Sequence, residues 1–288
     1  MVGMKHALGV AALLLSVPAA AQAPNGVSFD QTITSVNTTS GHVDTSSNVI
    51  HALAAGTNMR IETSNNTLYP QMGPFNPGPH AVLLVRDGGA ETVFMNPDSK
   101  EYLSIKPLEM MAGFKKMLQG MGGSMTFDST GTRMSMDSVG AGPTIDGHPT
   151  IHYTLRAAVK VTIAVMGETM SNENVSVTEI YSAPDMAEFR EATNGMMNQF
   201  VEVARSMGMS GAMFDKMKAD QSKLRGFPLR LVKQSTMTQR GVTRLSTETI
   251  ESRNAKRVLA PDSLFTVPAG YKSIAMPVMP GAASENAP

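Results

Sequence analysis

The sequence predicts an α+β protein in which an antiparallel β-sheet is covered on one face by two methionine-rich helical insertions. Three observations carry this reading. Short runs with period-two alternation recur from Val27 to Ser182 and again after Phe227, separated by glycine, proline and asparagine turns. Two segments with helical spacing interrupt those runs. The chain also has 24 methionines and no cysteine, so a packed core and not disulfides must hold it together.

Alternation on one side over many successive runs indicates an antiparallel sheet with one covered face, because a parallel sheet buried on both faces would read as continuous apolar runs. The series is SFDQTIT, NMRIET, AVLLVRD, ETVFM, EYLSI, TRMSMDS, TIHYTLR, VKVTIAV and NVSVTEIYS. In it Met136, Ile151, Tyr153, Leu155, Val161, Ile163 and Val165 should face the helices. Arg133, His152, Arg156 and Lys160 should face solvent. NPDSK, residues 96–100, reads as a hairpin connection, since Pro97 presets a turn φ and Asn96 and Asp98 offer local acceptors.

The first insertion opens at Pro107, where a helix's first N–H has no partner, places Leu108, Met111, Phe114 and Leu118 at helical spacing, and should end at Gly122-Gly123. The second opens near Asp185, with Asp185 and Glu188 as reciprocal caps. It sets Phe189, Met196, Phe200, Val203 and Met207 along one stripe up to the GMSG break at 208–211. A shorter helix with Met213, Met217 and Leu224 should close at Gly226 in a left-handed cap. FPLRLVKQSTMTQRGVTRLSTETIES then reads as a hairpin turning near Arg240 and Gly241. In the following DSLFTVPAGYK, Leu264 to Val267 should form a short strand, and Gly270 a tight turn that returns Tyr271 to the body.

At the start of the chain, Lys5, the apolar run Ala7 to Val17 and the small residues Pro18 to Ala23 form a secretory signal, with cleavage expected after Ala21 so that Gln22 leads. The expected organisation is a signal peptide over 1–21, a single domain over 22–275 and a disordered tail over 276–288, whose composition is proline and small residues. This makes the protein exported and periplasmic, soluble after cleavage. Loss of Lys5 leaves 23 basic against 24 acidic side chains, well mixed, so no electrostatic pull toward nucleic acid exists.

Gly226-Phe227-Pro228-Leu229, Asp262-Ser263-Leu264-Phe265 and Val267-Pro268-Ala269-Gly270-Tyr271, in this order of elements, resemble an uncharacterised exported bacterial family related to the Lol-type (LolA/LolB-like) outer-membrane lipoprotein carriers. IDGHPTIHYTL (145–155) and VTEIYSAPDM (177–186) are similar to that family's middle strands. The resemblance implies a strongly curved, unclosed antiparallel sheet, a half-barrel wrapping helices, with an apolar cavity that in the true carriers receives acyl chains. The chain departs from those carriers in having no tryptophan and only 5% aromatic residues.

Methionine is unbranched and polarisable, so a surface lined by it repacks around apolar ligands of varied shape. The expected ligand-binding set is Met111, Phe114, Leu118, Met134, Met136, Tyr153, Leu155, Phe189, Met196, Phe200, Val203 and Met207, bordering a cavity for a lipid, acyl chain or other apolar molecule. Ordinary helix core written in methionine would use the same stripes. Thioethers also suit Cu(I), and Met134 with Met136, Met196 with Met197 and Met207 with Met209 are the candidate pairs for a copper-handling alternative; an envelope scaffold that binds an unknown protein partner is the third. No resident cofactor or metal is expected, and no enzymatic role. His148 and His152 are too far apart in a strand for one ion. His42, His51 and His80 read as surface residues, and Glu168 with Glu173 and Glu248 with Glu251 as solvated charge. GMSGA around Ser210 lacks the nucleophile-elbow spacing.

Overall fold

The computed structural model describes residues 24–63, 72, 74–127, 131–165, 168–189, 191, 202, 205, 211–239 and 241–275. Thirteen strands join in one mixed sheet that is curved and does not close. In chain order they are β1 (Gly26–Thr39), β2 (His42–Ala55), β3 (Asn58–Thr63), β4 (Val82–Arg86), β5 (Glu91–Asn96), β6 (Glu101–Ile105), β7 (Ser124–Phe127), β8 (Arg133–Ala141), β9 (Ile151–Val165), β10 (Glu168–Ala183), β11 (Phe227–Gln239), β12 (Val242–Val258) and β13 (Lys272–Ser273). Their spatial order is β13-β6-β5-β4-β3-β2-β1-β12-β11-β10-β9-β7. β7 and β8 lie end to end along the outer edge of β9, opposite Val161–Ala164 and Ile151–Ala158 respectively.

Every pairing is antiparallel except β13 on β6. That exception comes from the C-terminal segment, and it corrects the strand expected over Leu264 to Val267. Asp262–Phe265 is a 3-10 turn; Phe265 is buried, and Val267 and Tyr271 pack on Val82, Leu84, Val93 and Met95. Arg60 reaches across to donate to the Leu264 carbonyl at 3.2 Å. Gly270 does adopt the left-handed conformation, φ 86°, that returns Tyr271 to the body.

Several local expectations hold. Asn96 Oδ1 accepts from the Asp98 and Ser99 amides at 2.9 and 3.2 Å, making the 97–100 turn. Helix α1 (Pro107–Gly120) has proline at its start; its end is closed by the Gly123 amide on the Leu118 carbonyl at 2.7 Å, with Gly122 at φ 67°. Helix α2 (Gly211–Lys223) precedes Gly226, whose φ is 84°.

The opening of the second insertion differs from the capped helix start expected there. Pro184–Phe189 is a 3-10 turn, and the Asp185 carboxylate accepts a 2.7 Å hydrogen bond from His148 Nδ1 in place of capping a helix. A local Asp-x-x-Glu pattern cannot register a partner 37 positions away. Residues 1–23 and 276–288, and most of 190–210, lie outside the described residues, so the signal, tail and second methionine stripe fall there.

β1, β2 and β11 are packed at the core end and lose burial toward the other, where β1 and β11 are mostly half-buried and β2 and β12 become exposed. Val27, Phe29, Ala52, Ala54, Phe227 and Leu229 form the main core with Met59, Val85, Ala183 and Met186. Phe29 meets Phe227 edge-on at 5.0 Å between ring centroids. Toward the β1–β2 and β11–β12 turns, Val43, Val49, Val242 and Leu245 are exposed.

Candidate functional site

Register places Met134 and Met136 of β8 opposite Ala157 and Leu155 of β9, so all four side chains share one face with Tyr153. The cross-strand row Tyr153–Ile180–Leu231–Ile250 extends that face over β10, β11 and β12. Leu224, just beyond α2, covers it: Met136, Tyr153, Ile180 and Leu224 form a buried cluster with Ile151, Leu155 and Leu231 at its margin. The Tyr153 hydroxyl accepts from the Arg225 amide at 3.2 Å, so its one polar atom is not stranded in the cluster.

Two lysines of α2 pair with a buried carboxylate of the same helix. Asp220 is buried on the helix and accepts from Lys216 at 2.9 Å and Lys223 at 2.6 Å; Lys223 also donates to the Met136 carbonyl at 3.4 Å. Burial alone would raise the Asp220 carboxyl, but the hydrogen bonds from Lys223 and Lys216 outweigh it and hold the pKa below its ordinary value.

Beyond this cluster the apolar side of β9 continues through Ala157, Val159, Val161 and Ile163, and there it is half-buried. At its far end Ile163 pairs with Met170 of β10 and Met125 of β7. Helix α1 lies against β7. Leu118 is buried, Met111 and Phe114 are half-buried, and Leu108, expected in the stripe, is exposed. The α1 stripe and the Tyr153 cluster are therefore separate: β7 meets β9 at Val161, eight positions from Tyr153, roughly 26 Å along a strand. Of the remaining expected residues, Phe189 falls in the 3-10 turn, while Met196, Phe200, Val203 and Met207 lie outside the described residues.

The opposite face carries a polar row that the sequence reading assigned to solvent. His152, Tyr181, Arg230 and Glu251 are successive partners across β9, β10, β11 and β12. His152 stacks on Tyr181 at 4.6 Å and 10°, and the Arg230 guanidinium lies 5.9 Å from the centroid of the same Tyr181 ring. His152 Nε2 meets Glu179 at 2.5 Å, and Thr154 donates to the same carboxylate at 2.8 Å. Glu251 accepts two hydrogen bonds from Arg253 and lies 4.0 Å from Arg230 Nε. His152 and Glu251 are thus corrected from solvated surface to a partly covered network. The period of the strand was right, but side-chain spacing alone cannot show which polar residues meet across strands.

Arg230, Glu251 and Arg253 border a groove of about 430 Å³ with Pro143, Thr144, Ile145 and Asp146. Glu251 accepts from Arg253 and lies 4.0 Å from Arg230 Nε, which is buried without a hydrogen-bond partner, and Asp146 accepts from the Ala255 amide at 2.9 Å. A smaller groove of about 240 Å³ at the β11–β12 turn is lined by Met237, Gln239, Val242 and Arg244. Neither groove includes a residue of the expected stripes. Among the described residues no three His, Asp or Glu side chains are placed to share a metal ion, and no helix is long and apolar enough to cross a membrane. Elsewhere, Asp30 is held below the usual carboxylate range by hydrogen bonds from His51 and Asn254.

No family model and no curated protein matches the chain. Among solved structures, PNGF-II aligns at 11% identity and TM-score 0.30, covering 86% of this chain, which spans only 31% of that one. Ail, the attachment invasion locus protein of Yersinia pestis, aligns at 7% identity and TM-score 0.14, over 80% of this chain and 98% of its own. Likeness at this level assigns neither fold nor function.

Proposed function

We propose that the protein binds an apolar molecule, a lipid or acyl chain, without chemical conversion, on the α2-bearing face of β8, β9 and β10, and that it does so in the periplasm after export. The observation that carries this is the burial gradient along one side of β9. The stripe is sealed at Tyr153 and Met136, yet its apolar composition continues to Ile163 while its burial becomes partial. A stripe that served only as core would turn polar where burial falls, as β1 and β2 do toward their shared turn. Methionine at Met134, Met136 and Met170 supplies the side chains that repack most readily around a guest. The resemblance to the lipoprotein-carrier superfamily implies that Met196, Phe200, Val203 and Met207, which lie outside the described residues, belong to the same ligand-binding set.

The test is titration with a fluorescent long-chain fatty acid. Val161→Asn and Ile163→Asn should each weaken binding about tenfold, the equivalent of one methyl-sized apolar contact or two, with thermal midpoints close to the wild type. Phe200→Ala and Met207→Ala should likewise lose more affinity than stability. Wild-type protein that leaves the probe dark, with variants that are merely unstable, would refute the proposal.

A further inference from the structure

We propose that the face of the sheet opposite α2, toward the β1–β2 and β11–β12 turns, is the contact surface for a second copy of this chain. The starting observation is an absence of charge. On that face every second residue of 32–38, 43–49, 232–238 and 243–249 is Thr, Ser, Val, Leu or Gln, and the register sets these four strands side by side. The other face of the same stretches carries Asp44, Lys233, Arg244 and Glu248. The strands thus keep charge on one side and omit it on the other. Exposed sheets ordinarily carry charge to prevent association.

The uncharged area and its β10 neighbour also hold four exposed large apolar side chains. Val43 (57%), Leu245 (51%) and Val175 (44%) lie in a single cross-strand row, Val175–Thr236–Leu245–Thr38–Val43, and Val49 (50%) is on the same face. Charged residues frame it. Arg230 and Glu251 lie in the row at one end, and Glu173 pairs Thr238 at the other. An uncharged centre with a charged border is the anatomy of a protein–protein contact.

The occupant follows from chemistry and size. With no Lys or Arg the area cannot hold a polyanion, and with no Phe, Tyr or Trp it lacks the side chains that stack on sugars or seat in a bilayer interface. A complementary surface must itself be uncharged, flat and β-branched, and this chain supplies one. Two copies related by a two-fold axis would stack sheet on sheet without placing like charges together. Four strands by eight residues span about 19 by 26 Å, or about 500 Å² in plan, which from two copies meets the ~1,000 Å² in total that a specific interface needs.

Sedimentation equilibrium of the purified protein decides this. A dimer is expected at about 100 µM and below. Thr247→Lys and Leu245→Lys, which would bury an ammonium at the centre, should each weaken it about 100-fold. Ser246→Lys points to the other face from the same strand and should change it less than about threefold. Thermal melts of all three confirm folding, and the exposed position of Leu245 makes its variant the safer of the two. A wild type that stays monomeric at that concentration overturns the proposal, as does a dimer that Ser246→Lys weakens as much as Thr247→Lys.

Discussion

The two ends of β1, β2, β11 and β12 share a backbone and a ladder but differ in what surrounds them. At the core end, Val27, Phe29, Ala52, Ala54, Phe227 and Leu229 are each 3% exposed or less. At the far end, residues 42–47 of β2 are exposed on both sides of the strand. The β1–β2 register runs unbroken from one end to the other. The difference teaches that sheet pairing sets geometry here, while burial sets where the stability resides.

Substitutions at the core end should have the largest effect. Phe29→Ala removes the ring that meets Phe227 and should cost about 3–5 kcal/mol in denaturant unfolding. A loss below about 1 kcal/mol would mean that the two ends are not energetically distinct.

Gly226 tests the same end through the backbone. A Cβ there would stand 2.0 Å from the Ala183 carbonyl oxygen, at a φ of 84° that side chains rarely adopt. Gly226→Ala should therefore lose about 2–3 kcal/mol by the same measurement. Gly241, at the exposed turn, has open space around it, so Gly241→Ala should suffer only the φ penalty, about 1 kcal/mol.

Asp220 sharpens the comparison at α2, where it pairs with Lys216 and Lys223 of its own helix while Lys223 also reaches the Met136 carbonyl of β8. Asp220→Asn should destabilise by about 1–3 kcal/mol at neutral pH, since a buried acceptor of two ammonium groups is lost. The folded pKa lies below the 3.8 of the free side chain. Its contribution is therefore complete above that value and lost as pH falls through the folded one. Wild type and variant melts should converge below about pH 3.8; a constant gap would remove the carboxylate from the account.

At the far end, Ser46→Ala should change stability by no more than about 0.5 kcal/mol. This is the smallest effect expected, and a larger loss would show that the exposed hairpin is covered after all.

The same contrast explains what could be read from the sequence. β8, β9 and β10 were legible because one side is apolar, and the alternation marked which: Met136 and Tyr153 are buried, Arg133 and Arg156 exposed, as expected. β2 escaped notice in HVDTSSNVIHALAA because its first half is polar on both faces and leaves no period to detect. Leu264 to Val267 read as a strand, yet Phe265 is buried by a 3-10 turn that lies against β3 and β4. The α1 helix and its glycine end were readable from local signals alone. The His152–Glu179 and Arg230–Glu251 contacts were not, because they join residues 27 and 21 positions apart through strand register, and register belongs to the whole sheet.

The claim that the α2-bearing face of β9 receives an apolar guest is tested most directly by native mass spectrometry of the protein purified from its own source. The account predicts an added mass corresponding to a lipid or fatty acid, released when the protein is denatured and reduced in the Ile163→Asn variant. A bare polypeptide mass from protein that also fails to bind an added fatty acid, or an added mass of copper in place of lipid, would contradict it.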